Sequence, residues 1–203
     1  MPGKVRHIEI MDTTLRDGEQ TSGVSFSASE KLTIAQLLLT EVKVDRIEVA
    51  SARVSEGEFQ AVKKIIDWAK TKGFINRVEV LTFVDGDTSV NWMLQTGARV
   101  MNLLTKGSLN HLTHQLKKTP EQHFKEVGDV IDLAVKNNID CNIYLEDWSN
   151  GMRHSQEYVF QYLDFLATQP IKRILLPDTL GILIPAETRE YISAIVKRYP
   201  HIH

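Results

Sequence analysis

The sequence has a single cysteine, Cys141, so no disulfide can form within the chain. It has no excess of charge of one sign: 24 lysines and arginines face 26 aspartates and glutamates, for a net charge of -2. Bulk attraction to nucleic acid or to an anionic membrane is therefore not expected, although a local basic patch could hold a phosphate-bearing ligand. No apolar run is long enough to cross a bilayer, and Met1-Pro-Gly-Lys-Val-Arg-His7 lacks the apolar stretch of a secretory signal. Linkers and low-complexity stretches are missing too. What is there, 203 residues at 42% hydrophobic and 25% charged, is ordinary globular material for a cytoplasmic protein.

Strand-like and helix-like segments alternate with a regular beat. Strands are expected at Ile8–Asp12, Arg46–Ala50, Arg77–Val84, Arg99–Leu104, Asp140–Leu145 and Arg173–Leu176. Between and after them, helical spacing covers Ser27–Glu41, Glu56–Lys72, Thr88–Thr96, Pro120–Asn137, Ser155–Thr168 and Pro185–Arg198. Ser27 or Ser29 can cap the first helix, Thr119 with Pro120 opens the fourth, and Gly73 closes the second. Pro200-His-Ile-His203 reads as the start of a seventh strand.

Repeated β/α units imply a parallel sheet covered by helices. A doubly wound sheet usually carries a glycine-rich first turn. Here the first turn is Thr13-Thr-Leu-Arg-Asp-Gly-Glu-Gln20, charged and without GxGxxG. A TIM (β/α)8 barrel instead gathers functional groups at the C-terminal ends of many strands. Polar residues follow every strand here: Arg16 and Asp17, Ser51 and Arg53, Asp85, Thr105 and Lys106, Glu146 and Asp147, Asp178 and Thr179. The expectation is an α/β protein, residues 1–203 forming a single partial TIM barrel truncated after about six β/α units, with strands seven and eight and any regulatory domain missing.

Asp12-Thr-Thr-Leu-Arg-Asp-Gly-Glu-Gln20 sets a carboxylate beside a guanidinium just past a strand. Asp17 offers a hard oxygen to a divalent ion, and Arg16 a donor to an oxyanion. An ordinary ion pair in a surface turn would look the same. Tyr144 and Glu146 are two apart and so share a strand face, Glu146 at the C-terminal end; a capping carboxylate would also fit there. Leu81 and Leu104 read as core. Lys106 and Arg53 could meet a phosphate. Asp12 and Glu48, inside apolar strands, would need complete hydrogen bonding. Cys141 reads as a small core residue.

Thr14-Leu-Arg-Asp-Gly-Glu-Gln20 resembles the signature of the DRE-TIM metallolyases, in the branch of the 2-isopropylmalate, homocitrate and citramalate synthases. Asp45–Ser55, Asn102–Ser108, Tyr144–Gly151 and Leu176–Gly181 are similar to the citramalate synthase subfamily. The resemblance implies a Claisen-type condensation of acetyl-CoA with a small 2-keto acid, pyruvate giving (R)-citramalate or 2-oxoisovalerate giving 2-isopropylmalate. It implies a divalent metal (Mn, Mg or Zn) at Asp17, activation of the keto acid by Arg16, and Glu146 over the reacting centre. Thr179 would contact the keto acid's carboxylate, and Leu81, Leu104 and Tyr144 would line its side-chain pocket. A homodimer is implied for the full-length protein. A lyase of the same superfamily and a non-catalytic barrel-like binding protein are the rival readings. His201-Ile-His203 has the form of a two-histidine metal motif but falls at the start of strand seven, the wrong rim, so the metal-binding pair is expected a few residues further on.

Overall fold

The computed structural model describes residues 8–201. Its first half alternates β1 (Met11–Asp12), α1 (Ala28–Leu37), β2 (Arg46–Ser51), α2 (Glu56–Lys72), β3 (Val78–Phe83) and α3 (Thr88–Thr96). There follow β4 (Val100–Lys106), the short α4 (Leu109–His111), α5 (Pro120–Lys136), β5 (Asp140–Glu146), α6 (Trp148–His154), α7 (Gln156–Leu166), β6 (Arg173–Leu175) and α8 (Pro185–Arg198). The strands form one six-stranded sheet in the order β1-β2-β3-β4-β5-β6, with β1/β2, β2/β3 and β5/β6 paired in parallel. A doubly wound sheet reverses its strand order at a switch point. The order here never reverses, as in a barrel.

Local chemistry sets the boundaries. Ser27 accepts from Glu30 N while Glu30 accepts from Ser27 N, a reciprocal cap that starts α1. Thr119 and Gln122 do the same for α5, with Pro120 at its first position. Gly73, at φ 73°, ends α2 in the left-handed conformation that glycine adopts freely. Three expectations change. The first strand shrinks to Met11–Asp12, with Ile8 and Ile10 exposed. The first helix widens into a π turn, Leu38–Val42, before Lys43 stops it. The segments Leu109–His111 and Trp148–His154 are helical, although they lie outside every segment expected to be a helix. Residues 1–7 and 202–203, including His203 of the His-x-His pair, lie outside the described residues; His201 is an exposed turn.

Two compact units result, one of residues up to Leu81 with Trp92–Val100, the other of Thr82–Asn91 with Met101 onward. In the first, Ile47 and Val49 of β2 are buried with Val62, Ile65, Ile66 and Ala69 of α2. In the second, Ile143 and Leu145 of β5 are buried with Val127, Ile131 and Ala134 of α5 and with Val159, Leu163 and Leu166 of α7. Each such valine, leucine or isoleucine contributes about 1.5–3 kcal/mol by leaving water. Cys141 is buried here too, its thiol pushed up to about 12 by burial, which keeps it a protonated core residue.

The opposite strand face is polar. Glu48, Glu79, Asn102 and Asn142 are fully buried and Arg46 nearly so. In the first unit Arg46 donates to Glu79 at 3.1 Å; in the second Asn142 donates to Asn102 at 2.9 Å. An ordinary interior would be apolar, because unpaired buried charge is costly. Pairing makes this face tolerable, and in each unit candidate residues lie at the C-terminal ends of its strands.

Candidate active site

In the first unit, β1 runs into a turn wound around one carbonyl. The amides of Arg16, Asp17 and Gly18 all donate to Thr13 O, at 3.0, 2.8 and 3.2 Å. Asp12 holds the entry by accepting from Thr14 N at 2.9 Å, so it pins the turn and joins no buried network. The turn aims Arg16 inward. Its Nε donates to Glu48 at 2.5 Å and its Nη1 to Asp17 at 2.7 Å. Glu48 is completely buried, whereas the Asp17 side chain is 61% exposed. One guanidinium thus stands on a buried carboxylate and steadies an exposed one. Buried polar residues inside a strand were the sequence signal for Glu48; its partner was not legible.

A second device holds the same loop. Lys31 of α1 is 1% exposed and sits between the carboxylates of Glu19 and Glu58, the latter at 2.6 Å. Its ammonium also donates to Leu15 O at 3.3 Å. Beside this clasp and Arg16 lies a cavity of ≈ 330 Å³, with Gln20, Ser51 and Ser55 in its wall. Leu81 belongs to this unit and is buried, its carbonyl accepting from Ala52 N at 2.8 Å.

In the second unit, β5 presents Asn142, Tyr144 and Glu146 on one face, as their spacing required. Tyr144 is buried and Glu146 is half-buried. The Glu146 carboxylate pairs with Lys106 at the end of β4. Lys106, a residue that could meet a phosphate, is here engaged with this carboxylate. Asp147 follows at φ 64°, in the left-handed region that few non-glycine residues adopt. It is 2% exposed and accepts from Ser108 Oγ and from Asn150 Nδ2, both at 2.7 Å. Its amide donates to Thr179 Oγ1 at 3.1 Å, which ties the exposed Thr179 to the end of β5. Asp178 is held below the usual carboxylate range, chiefly by the amide of Leu183, and accepts from Ser149 Oγ at 2.7 Å. Leu104 is half-buried on the face that carries Lys106. Sequence reasoning named Asp147 only among the polar residues that follow the strands; no pattern signalled its left-handed backbone.

Beneath Lys106 lies His123, fully buried beside Tyr162. Its Nε2 accepts from Lys106 N at 3.4 Å. Burial foremost, then the ammonium of Lys118, lowers this imidazole from 6.5 to about 4, against a smaller opposing effect of Glu126; Lys106 adds to the lowering. The unfolded chain takes up a proton near 6.5 and the native chain only near 4. Stability is therefore full above pH 6.5 and falls as the pH drops toward 4, by about 3 kcal/mol in all. Urea unfolding of wild type and His123→Leu from pH 7 to 4 checks this: the variant is expected to lose that part of the slope. Equal slopes would show that the ring takes up its proton in the native state as readily as in the unfolded chain.

No three His, Cys, Asp or Glu side chains come together as a metal site among the described residues. Asp17, exposed and with hard oxygens, fits as one ligand of a divalent ion but cannot hold one alone. The described residues also contain no helix long and apolar enough to cross a membrane.

A model of the HMGL-like family matches residues 7–203. A 2-isopropylmalate synthase of Oceanobacillus iheyensis is 30% identical over 97% of this chain and 37% of its own length. A protein of Methanothermobacter thermautotrophicus named (R)-citramalate synthase CimA is 32% identical over 93% of this chain and 36% of its own. The chain thus spans between a third and a half of the length of such relatives. Among solved structures, the HMG-CoA lyase of Bacillus subtilis superposes with a TM-score of 0.71 at 20% identity, over 95% of this chain and 65% of that one. The fold is that of the TIM-barrel HMG-CoA lyases.

Proposed function

Because the chain belongs to the HMGL-like family, we propose that it forms the catalytic part of an enzyme condensing acetyl-CoA with a small 2-keto acid, pyruvate by preference, to give (R)-citramalate. The observation that carries this reading is the Arg16 guanidinium, braced by buried Glu48 and turned toward exposed Asp17. Such a group stabilises negative charge developing on an oxygen.

A base removes a proton from the acetyl methyl, and the resulting carbanion attacks the ketone carbon of the keto acid. Arg16 donates to the ketone oxygen as it becomes an alkoxide, which then takes a proton. Water cleaves the thioester, releasing the acid and the CoA thiol. Glu146 assists proton transfer, and Thr179 Oγ1 meets the keto acid's carboxylate. A divalent ion held with the help of Asp17 would supply Lewis-acid polarisation of the ketone.

In this reading specificity would come from Leu81, Leu104 and Tyr144, two branched aliphatics and a ring that suit a methyl group better than an isopropyl group. Apolar pockets discriminate by about 10–200-fold per methylene, and close-packed walls exclude larger groups more strongly. None of these three residues is a cation, so a dicarboxylic keto acid would bury its second carboxylate among them at high cost. A panel of keto acids with the full-length protein at fixed acetyl-CoA, read by thiol release, tests this. Pyruvate is expected to have the highest kcat/KM, and Leu104→Ala to shift the ratio toward 2-oxobutyrate and 2-oxoisovalerate. Relatives named 2-isopropylmalate synthase favour a second reading, with 2-oxoisovalerate as substrate; preference for it in the panel would replace citramalate as the product.

A further inference from the structure

We infer that Lys106 is a positioning residue for Glu146, a role that rests on the condensation reading above. β4 and β5 present two cross-strand pairs with the same separation in sequence: Asn102 with Asn142, and Lys106 with Glu146. Leu104 and Tyr144 lie between them on the same faces. Register alone therefore places the ammonium opposite the carboxylate; the contact does not depend on a long side chain wandering to find it.

The Lys106 backbone is immobilised on both sides. Its carbonyl accepts from Tyr158 OH at 2.8 Å and its amide donates to His123 Nε2 at 3.4 Å. The next amide, Gly107 N, donates to Glu146 O at 2.7 Å. The Lys106 side chain is 13% exposed against 26% for Glu146, so the lysine is the more enclosed partner. Among the described residues, the Glu146 carboxylate has no polar partner but Lys106, which takes Oε2. Oε1 is left to face the substrate. A glutamate has three rotatable side-chain bonds, and a fixed stem holding one oxygen sets the direction of the other. Misplacing a reacting group by an ångström costs about 100-fold in rate.

A lysine that met a CoA phosphate would act differently, through the affinity for acetyl-CoA. Steady-state kinetics of the full-length protein separate the two roles, using acetyl-CoA and the best keto acid of the panel. Lys106→Met is expected to lower kcat by about 30–100-fold with both KM values within about twofold. Lys106→Arg, which keeps a donor on Oε2, should recover about a third or more of the lost rate on a logarithmic scale. Placed on Glu146→Gln, Lys106→Met should add less than about threefold, because both changes remove one function. An unchanged kcat overturns the inference, as does a rise in the acetyl-CoA KM alone or full additivity in the double variant. If Lys106→Met lowers the unfolding temperature markedly, Lys106→Gln against Lys106→Arg gives the same comparison. Wild-type protein that condenses no keto acid would instead bring down the functional reading itself, and this role with it.

Discussion

In the full-length protein, lysine in place of Arg16 is expected to lower kcat for the proposed condensation by about 100–1000-fold, although the charge is kept. The guanidinium holds two carboxylates at once, Glu48 from Nε and Asp17 from Nη1, in different directions. A planar fork can do this; an ammonium is a single point and must choose. If it stays with Glu48, Asp17 and the substrate lose their donor. If it turns outward, the fully buried Glu48 carboxylate loses its pairing with residue 16, and breaking a buried pair costs about 3–5 kcal/mol. Kinetics must therefore be read beside a thermal unfolding curve. A variant that stays folded with near-normal kcat would make Arg16 a structural residue and remove the oxyanion role.

Gly151→Ala is expected to destabilise the second unit by about 2 kcal/mol or more, against the helical preference that favours alanine by about 1 kcal/mol. A Cβ at this position of α6 would stand 2.1 Å from Gly107 O and 2.8 Å from Val159 Cγ2. The obstacle is backbone, and it cannot swing away. Gly107 is packed as tightly, since a Cβ there would meet Leu145 O at 2.7 Å. Two glycines thus let α6 lie against the end of β4, where Lys106 and Ser108 are anchored. For a chain of this size the loss corresponds to a fall in Tm of about 4–8 °C, measurable by calorimetry. An unchanged or raised Tm would show that α6 can shift without cost.

The alternation of strands and helices was legible because each element carries its own period and its own cap. Glu56–Lys72, Thr88–Thr96 and Pro185–Arg198 begin and end where their apolar spacing and flanking residues say. The first strand was overestimated because an apolar run, Ile8 to Met11, looks the same whether or not it pairs along its length. The short helix α6 was hidden: its sequence, Trp148 to His154, is polar, and it starts after a left-handed aspartate. At the site, parity placed Tyr144 and Glu146 on one face, and the charged first turn marked Arg16 and Asp17. The partners were illegible for one common reason. Glu48 for Arg16, Lys106 for Glu146 and Asp147 for Thr179 are all more than thirty residues away in sequence, and such pairings follow from sheet register. Periodicity within one segment carries no information about register between two.

The buried Lys31 also settles when the Arg16 loop becomes ordered. Ordering one residue's backbone costs about 1–2 kcal/mol in conformational entropy. Left loose, the segment from Thr13 to Phe26 would impose that loss on every substrate that arrived. Here one ammonium ties Leu15 O, Glu19 and Glu58 together, and Glu19 in turn accepts from Phe26 N at 2.9 Å. The disorder of the loop is surrendered once, while the chain folds, and the guanidinium is already aimed when a ligand enters.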